Sequence, residues 1–126
     1  MKKLLLTIAL GLIATNVFAA WEFLATTSNG EHFYDKSSIK RNGSNVRVWT
    51  YVNYNQANVE NNEQSMVGLK EFDCKNETSL VLSLDAYSEV NLKGTMTSVN
   101  TEKAKKQFVR PNTIDSQLMK LACKNN

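Results

Sequence analysis

The chain has 126 residues, with 15 Lys and Arg, 12 Asp and Glu, one His and two Cys, and its formal charge is +3. This length predicts a single domain. A hydrophobic share of 42% with 21% charged residues is typical of a globular protein and excludes wholesale disorder. One histidine and two cysteines exclude the richer metal clusters, because a structural zinc site needs four ligands, usually Cys or His.

The first 19 residues have the pattern of a secretory signal peptide. Lys2 and Lys3 precede an apolar stretch at residues 4–14, about 11 residues long and within the expected range for a signal-peptide core. Small residues then predict cleavage between Ala19 and Ala20. The alternative is a retained membrane anchor, but a span needs about 20 apolar residues. We therefore expect an exported mature chain, residues 20–126, with no transmembrane anchor.

No cysteine lies near the predicted cleavage site, so we expect no lipid anchor. The chain would then be located in the periplasm, at the cell surface or outside the cell. Loss of Lys2 and Lys3 with the signal peptide lowers the formal charge from +3 to +1, since 13 Lys and Arg then face 12 Asp and Glu.

Export changes what the two cysteines mean. Cys74 and Cys123 are expected to pair as a structural disulfide, as two cysteines in a small exported domain usually do. In the chain-entropy model, closing a loop of roughly 50 residues stabilises the fold by about 4 kcal/mol. The alternative is a redox-active pair, which is disfavoured because such cysteines are usually close in sequence.

Alternation of side chains predicts an antiparallel sheet. The clearest strand covers residues 46–54, which follow the hairpin signal Asn42-Gly43. Residues 35–38 predict a turn or helical half-turn anchored by Ile39, residues 55–64 predict a mobile loop, and residues 100–110 a basic connection. The other predicted strands are residues 21–27, 31–35, 65–74, 78–88 and 95–99.

The end of the chain has helical periodicity instead. Pro111 cannot continue a sheet interior, and Asn112 or Thr113 can cap a following helix. Ile114, Leu118, Leu121 and Ala122 then form one apolar stripe, which Met119 and Cys123 widen. The predicted fold class is α+β: a single antiparallel sheet of about six strands with a C-terminal helix packed on one face. A Cys74–Cys123 disulfide would tether the helix to the face that carries Cys74.

The strand at residues 46–54 has two different faces. Arg47, Trp49 and Tyr51 share one face, and Val46 and Val48 share the other with further alternate residues. Large aromatic residues are mostly buried, so the favoured interpretation places Trp49 and Tyr51 under the helix. The alternative is that Arg47, Trp49 and Tyr51 line the exposed face as a binding surface, because such residues are favoured at interface hot spots.

A basic cluster lies in the predicted connection before the helix, formed by Lys103, Lys105, Lys106 and Arg110. The favoured interpretation is an ordinary solvated segment. The alternative is a binding site for an anionic partner, such as a sulfated glycan, an acidic protein patch or a lipid headgroup. Nucleic acid is not expected as a partner, since no recognised module interleaves aromatic and basic residues.

Catalysis and cofactors are not expected. His32 is the single histidine, and Ser37, Ser38 and Asp35 lie near it in sequence, but proximity in sequence is not the geometry of a catalytic triad. The chain contains neither a Gly-x-Ser-x-Gly nucleophile elbow nor a glycine-rich phosphate loop. Residues 55–64 have too few acids at the spacing of a calcium loop. We expect neither a bound metal nor a cofactor.

The order of the short motifs resembles that of the surface-adhesin protein E family of Gram-negative bacteria, over nearly the whole mature chain. The resemblance implies an antiparallel sheet with a C-terminal helix tethered by a disulfide. It also implies an outer-surface adhesin that binds host extracellular-matrix or plasma proteins. The motifs are Phe33-Tyr34-Asp35, Ser37-Ser38-Ile39, Arg41-Asn42-Gly43, Val46-Arg47-Val48-Trp49, Glu71-Phe72-Asp73-Cys74, residues 80–84, Tyr87-Ser88, Pro111 with Ile114, and Leu121-Ala122-Cys123-Lys124.

The favoured function is an exported, non-catalytic binding protein with a protein or anionic glycan as its partner. Two alternatives belong to other classes, namely a periplasmic envelope-maintenance protein and a small periplasmic inhibitor or immunity protein. The sequence leaves the oligomeric state open.

Overall fold

The computed structural model describes residues 20–58 and 62–124. Within them, eight strands form one antiparallel sheet, and a single α-helix follows at the C-terminal end. Short 3₁₀ turns cover Lys36–Ser38 and Val90–Leu92. The elements are β1 (Trp21–Thr27), β2 (Gly30–Asp35), β3 (Lys40–Asn42), β4 (Asn45–Asn58), β5 (Glu63–Asp73), β6 (Thr78–Glu89), β7 (Lys93–Val99), β8 (Gln107–Phe108) and α1 (Ile114–Lys124).

The sheet has the strand order β1-β2-β4-β5-β6-β7, and every neighbouring pair is antiparallel. Two short strands lie off this path, β3 beside the start of β4 and β8 beside the start of β6. The predicted fold class is therefore confirmed. The sheet has more strands than expected because β3 and β8 are too short to show a periodic pattern.

The prediction of a loop at residues 55–64 is wrong at both ends. β4 continues to Asn58, and β5 already begins at Glu63. Asn58 and Glu63 are register partners. The backbone N–H of Asn55 also donates to the carbonyl of Asn29 over 3.0 Å. These backbone bonds override the low strand propensity of the amide-rich sequence. Residues 59–61, the middle of the predicted loop, lie outside the described residues.

α1 begins with a side-chain cap. The backbone N–H of Ser116 donates to Thr113 Oγ1 over 3.2 Å, which satisfies one of the amide groups left open at a helix start. Of the two residues predicted as caps, Thr113 is therefore the one that acts, whereas Asn112 adopts a positive φ of 61°. The predicted apolar stripe faces the sheet, since Leu118 and Ala122 are completely buried.

The core lies between α1 and one face of the sheet. Val46, Val48 and Phe72 are completely buried there together with Leu118 and Ala122. Val46 and Phe72 are register partners on β4 and β5, so the valine face of β4 is the face that α1 covers. Burial of these side chains contributes the hydrophobic stabilisation that a short helix needs to persist.

The favoured placement of Trp49 and Tyr51 under the helix is therefore wrong. Both side chains project from the opposite face of β4, because they alternate with the buried Val46 and Val48. The physical reason is the register between β4 and β5, which aligns the valines with Phe72 on the side that Cys74 and the helix share.

A disulfide holds the C-terminal end of α1 to the sheet, as predicted. Cys74 and Cys123 are bonded, 49 residues apart in sequence and with their Cα atoms 5.8 Å apart. Arg41 supports the same end of the helix, because its Nη2 donates to the carbonyl oxygen of Cys123 over 2.6 Å. A cation at a helix C-terminus also interacts favourably with the helix dipole.

We predict that Cys74→Ser lowers the free energy of unfolding by about 4 kcal/mol, because the unfolded chain regains the entropy that the closed loop removes. The amides of α1 should lose hydrogen-exchange protection more than those of β4. Thermal denaturation and hydrogen exchange measure both effects, with the double variant Cys74→Ser/Cys123→Ser excluding effects of a free thiol. An unchanged melting temperature with full protection of α1 contradicts the prediction.

Candidate functional site

The sheet face opposite α1, here called the open face, carries four packed aromatic rings. Tyr51 and Phe33 are register partners on β4 and β2, and their rings stack with centroids 4.7 Å apart. Trp21 meets Tyr51 edge-on at 4.7 Å, and Phe23 meets Phe33 edge-on at 5.8 Å. Trp21, Phe23, Phe33 and Tyr51 are called the aromatic cluster below.

The aromatic cluster is buried at one end and exposed at the other. Tyr51 is only 8% exposed, whereas Phe23 is 58% exposed. Burial, with a smaller contribution from the charge of Glu31, raises the pKa of the Tyr51 hydroxyl. Edge-on and offset ring pairs are favourable arrangements worth about 0.5–1.5 kcal/mol each beyond area burial. The cluster is thus a preorganised apolar surface whose outermost ring faces solvent.

The other two residues of the predicted binding trio lie beside a basic pocket. Arg47 and Trp49 line a cavity of about 300 Å³ together with Lys40 and Leu69. Arg47 also forms an ion pair with Glu71, with Nε and Oε2 2.9 Å apart. The structure therefore brings Arg47 and Trp49 together, but it assigns Tyr51 to the aromatic cluster. Lys40 was missed from sequence, although the Asn42-Gly43 hairpin determines its pairing with Arg47.

The predicted basic cluster at residues 103–110 is exposed. Lys103, Lys105, Lys106 and Arg110 all lie in the connection between β7 and α1. None of them lines the pocket around Trp49. Arg110 lines a different cleft beside the start of α1, which also contains Phe108. Whether this cluster binds an anionic partner stays a prediction.

His32 lies on the helix side of the sheet, paired in register with Val52. It contributes to a cavity of about 230 Å³ whose lining includes Lys70 and Ile114. Its Nε2 is 2.9 Å from Thr27 Oγ1. Burial first, and then the charge of Lys70, lower the pKa of His32, while Asp115 opposes the shift.

The local residues considered for a catalytic triad do not assemble around His32. Ser37 donates its hydroxyl hydrogen to Asp35 Oδ1, and Ser38 donates its own to the carbonyl of Asp35. Both bonds stabilise the 3₁₀ turn at Lys36–Ser38, where Asp35 is the cap.

Among residues 20–58 and 62–124, no group of three or more His, Cys, Asp or Glu side chains is placed to hold a metal ion. Their single α-helix is not long and apolar enough to cross a membrane.

Comparison with known proteins identifies a family. A family model described as surface-adhesin protein E matches residues 21–124. A crystal form II structure of Haemophilus influenzae protein E has a TM-score of 0.69 and 19% identity, covering 88% of this chain and 92% of that chain. Protein E from non-typeable Haemophilus influenzae has a TM-score of 0.64 and 19% identity, and the match covers 88% of this chain and 80% of that chain. At this identity the structural matches show the fold alone. Curated protein sequences give no significant match.

The lowered pKa of His32 predicts a pH effect on stability. Because the folded chain binds a proton at His32 more weakly than the unfolded chain does, protonation favours unfolding. Neutral His32 therefore contributes to the free energy of unfolding above the ordinary pKa of 6.5, and this contribution is lost as the pH falls below that value.

We expect His32→Gln to flatten the decline in unfolding free energy between about pH 7 and about pH 5, where an unperturbed histidine titrates. Urea denaturation of both proteins at a series of pH values measures it, and the difference between them cancels the contribution of the carboxylates. A variant with the same or a steeper slope contradicts the assignment.

Proposed function

Because this chain belongs to the surface-adhesin protein E family, we propose that it is an exported, non-catalytic adhesin that binds host extracellular-matrix or plasma proteins through its open face. The observation that carries the proposal is the aromatic cluster, with Phe23 58% exposed on the sheet face that α1 leaves uncovered. Aromatic residues are enriched at protein interfaces and often dominate their binding energy.

The division of the sheet into two faces supports this choice of surface. α1 occupies the valine face of β4, where Val46 and Val48 are completely buried. The open face carries the packed rings of Phe33 and Tyr51 instead. Rings that are already packed lose little conformational freedom when a partner binds, so less binding energy is spent on ordering them.

Export is the second part of the proposal. The predicted signal peptide, residues 1–19, lies outside the described residues, and β1 begins at Trp21. Cleavage between Ala19 and Ala20 would therefore leave β1 and the aromatic cluster intact. A periplasmic envelope-maintenance or inhibitor role is the alternative, and the absence of a cysteine near the predicted cleavage site favours it.

Cell fractionation separates these two functions. We expect the mature protein to begin at Ala20, to be found at the cell surface or in the medium, and to be accessible to protease added to intact cells. Mass spectrometry of the purified protein determines its N-terminus. A periplasmic marker protein, assayed in the same cell fractions, is the control for leakage. Confinement to the periplasm contradicts the host-adhesin proposal and favours the alternative.

Substitution of the exposed ring tests the surface. Phe23→Ser should weaken binding to a panel of purified matrix and plasma proteins by about tenfold or more, as loss of an interface hot spot does. Phe108→Ser is the matched control, because Phe108 is 81% exposed and is not part of the aromatic cluster. Surface plasmon resonance measures both. Equal loss in the two variants, or unchanged binding by Phe23→Ser, contradicts the assignment of the surface.

A further inference from the structure

Two cations lie directly opposite one another on the open face. Lys40 and Arg47 are register partners across β3 and β4, and like charges in this position destabilise a sheet. Glu71, the partner of Arg47 on β5, offsets one of the two charges through the 2.9 Å ion pair. Among the described residues, Lys40 has no carboxylate within ion-pair distance. This row therefore keeps one positive charge that the described part of the chain does not balance.

The unbalanced charge lies in a concave site, here called the Trp49 pocket. Its volume is about 300 Å³, at the small end of the range for ligand sites. Its lining residues are Ser37, Ser38, Lys40, Arg47, Trp49 and Leu69. The Asp35 and Glu71 carboxylates lie outside this lining but are bonded to Ser37 and Arg47, which leaves Lys40 as the cation with no carboxylate partner among the described residues. Its electrostatics therefore favour a small group with a negative charge.

The two serines in the lining offer hydrogen-bond acceptors. Ser37 and Ser38 each use their hydroxyl hydrogen on Asp35. Ser38 Oγ also accepts the backbone N–H of Trp49 over 2.9 Å. A hydroxyl oxygen has two acceptor lone pairs, so each serine retains a lone pair for a ligand. A ligand that carries hydroxyl donors can therefore bond these oxygens.

Trp49 supplies the third property of the pocket. Its backbone is held by Ser38, and its register partner on β5 is Leu69. The half-buried indole lies on the open face beside Lys40 and Arg47. An aromatic ring in this setting offers a large apolar surface to one face of a ligand.

We propose that the Trp49 pocket binds one ring of an acidic saccharide. The carboxylate or sulfate of the sugar lies between Lys40 and Arg47, the apolar face of the ring packs on Trp49, and ring hydroxyls donate to the serine oxygens. An ionised acidic side chain of a peptide satisfies the cations but has no donor of its own for the serines, so only the backbone N–H groups of the peptide could donate to them. A neutral sugar satisfies the serines and Trp49 but leaves the charge on Lys40 unbalanced.

This inference rests on the proposed role as an exported binding protein, but the Trp49 pocket and the aromatic cluster share no residue. Binding of free oligosaccharides tests the pocket, and the Phe23→Ser experiment tests the protein-binding surface. If oligosaccharide binding fails, the Phe23→Ser experiment still tests the protein-binding surface, and the reverse also holds.

The probes are a heparin hexasaccharide, which carries sulfate and carboxylate, a hyaluronan hexasaccharide, which carries carboxylate alone, and neutral maltohexaose. We expect at least one acidic probe to bind and maltohexaose not to bind. Lys40→Gln/Arg47→Gln should weaken the acidic probe by more than about tenfold, because charge-assisted hydrogen bonds are lost. Calorimetry measures affinity, and chemical shifts of the Trp49 indole report the location.

The matched control is Lys75→Gln/Lys93→Gln, which removes the same charge from exposed positions outside both the Trp49 pocket and the basic cluster. Its affinity should stay within about twofold of the wild type, since specific contacts rather than net charge bind the ligand. Equal weakening by both double variants overturns the proposal, as does failure of both acidic probes to bind. A poly-glutamate peptide that binds as tightly as the acidic sugar also overturns it in favour of an acidic peptide.

Lys40→Gln alone keeps the test valid if the double variant folds poorly. Lys40 is exposed, so this variant should melt at or above the wild-type temperature, because one of the two opposed charges is removed. It should nevertheless bind the acidic probe more weakly. Unchanged affinity of this well-folded variant overturns the role of Lys40.

Discussion

The packing of α1 on β4 and β5 is the constraint on which the rest of the structure depends. A helix of 11 residues is marginal alone, and it persists here because Leu118 and Ala122 are completely buried against Val46 and Phe72. The disulfide at its C-terminal end retains it on that face. Once this face is covered, the other face of the same strands is the one that remains for a partner.

Much of the fold could be predicted because its main elements have strong periodic patterns. The alternation along β4 and the helical stripe of α1 both appear in the sequence as regular spacing. β3 and β8 could not be predicted, since strands of three and two residues show no period. They form because β4 and β6 extend beyond β2 and β7, which leaves backbone groups at Asn45–Arg47 and Thr78–Ser79 for them to pair with.

The open face was only partly predictable, since side chains from separate strands meet there through register. Arg47 and Trp49 share a face by simple alternation. Tyr51 shares it too, but Phe33 and Trp21 come from other strands and draw it into the aromatic cluster. Lys40 is a different case. The pairing of Asn42 with Asn45 closes a hairpin, and counting back two residues on each side places Lys40 opposite Arg47.

The net charge of the chain does not predict the position of the proposed anion site, the Trp49 pocket. Of the formal charge of +3, the predicted signal peptide contributes +2. Four further cations lie in the exposed connection, whereas the Trp49 pocket has two cations beside an aromatic ring. Repulsion between Lys40 and Arg47 costs the free protein stability, and Glu71 relieves it for Arg47 alone. A bound anion relieves the remainder and binds only the folded chain, so ligand binding and fold stability are coupled by mass action. The proposed anion site therefore lowers the stability of the free protein locally, and the disulfide-tethered core offsets this loss.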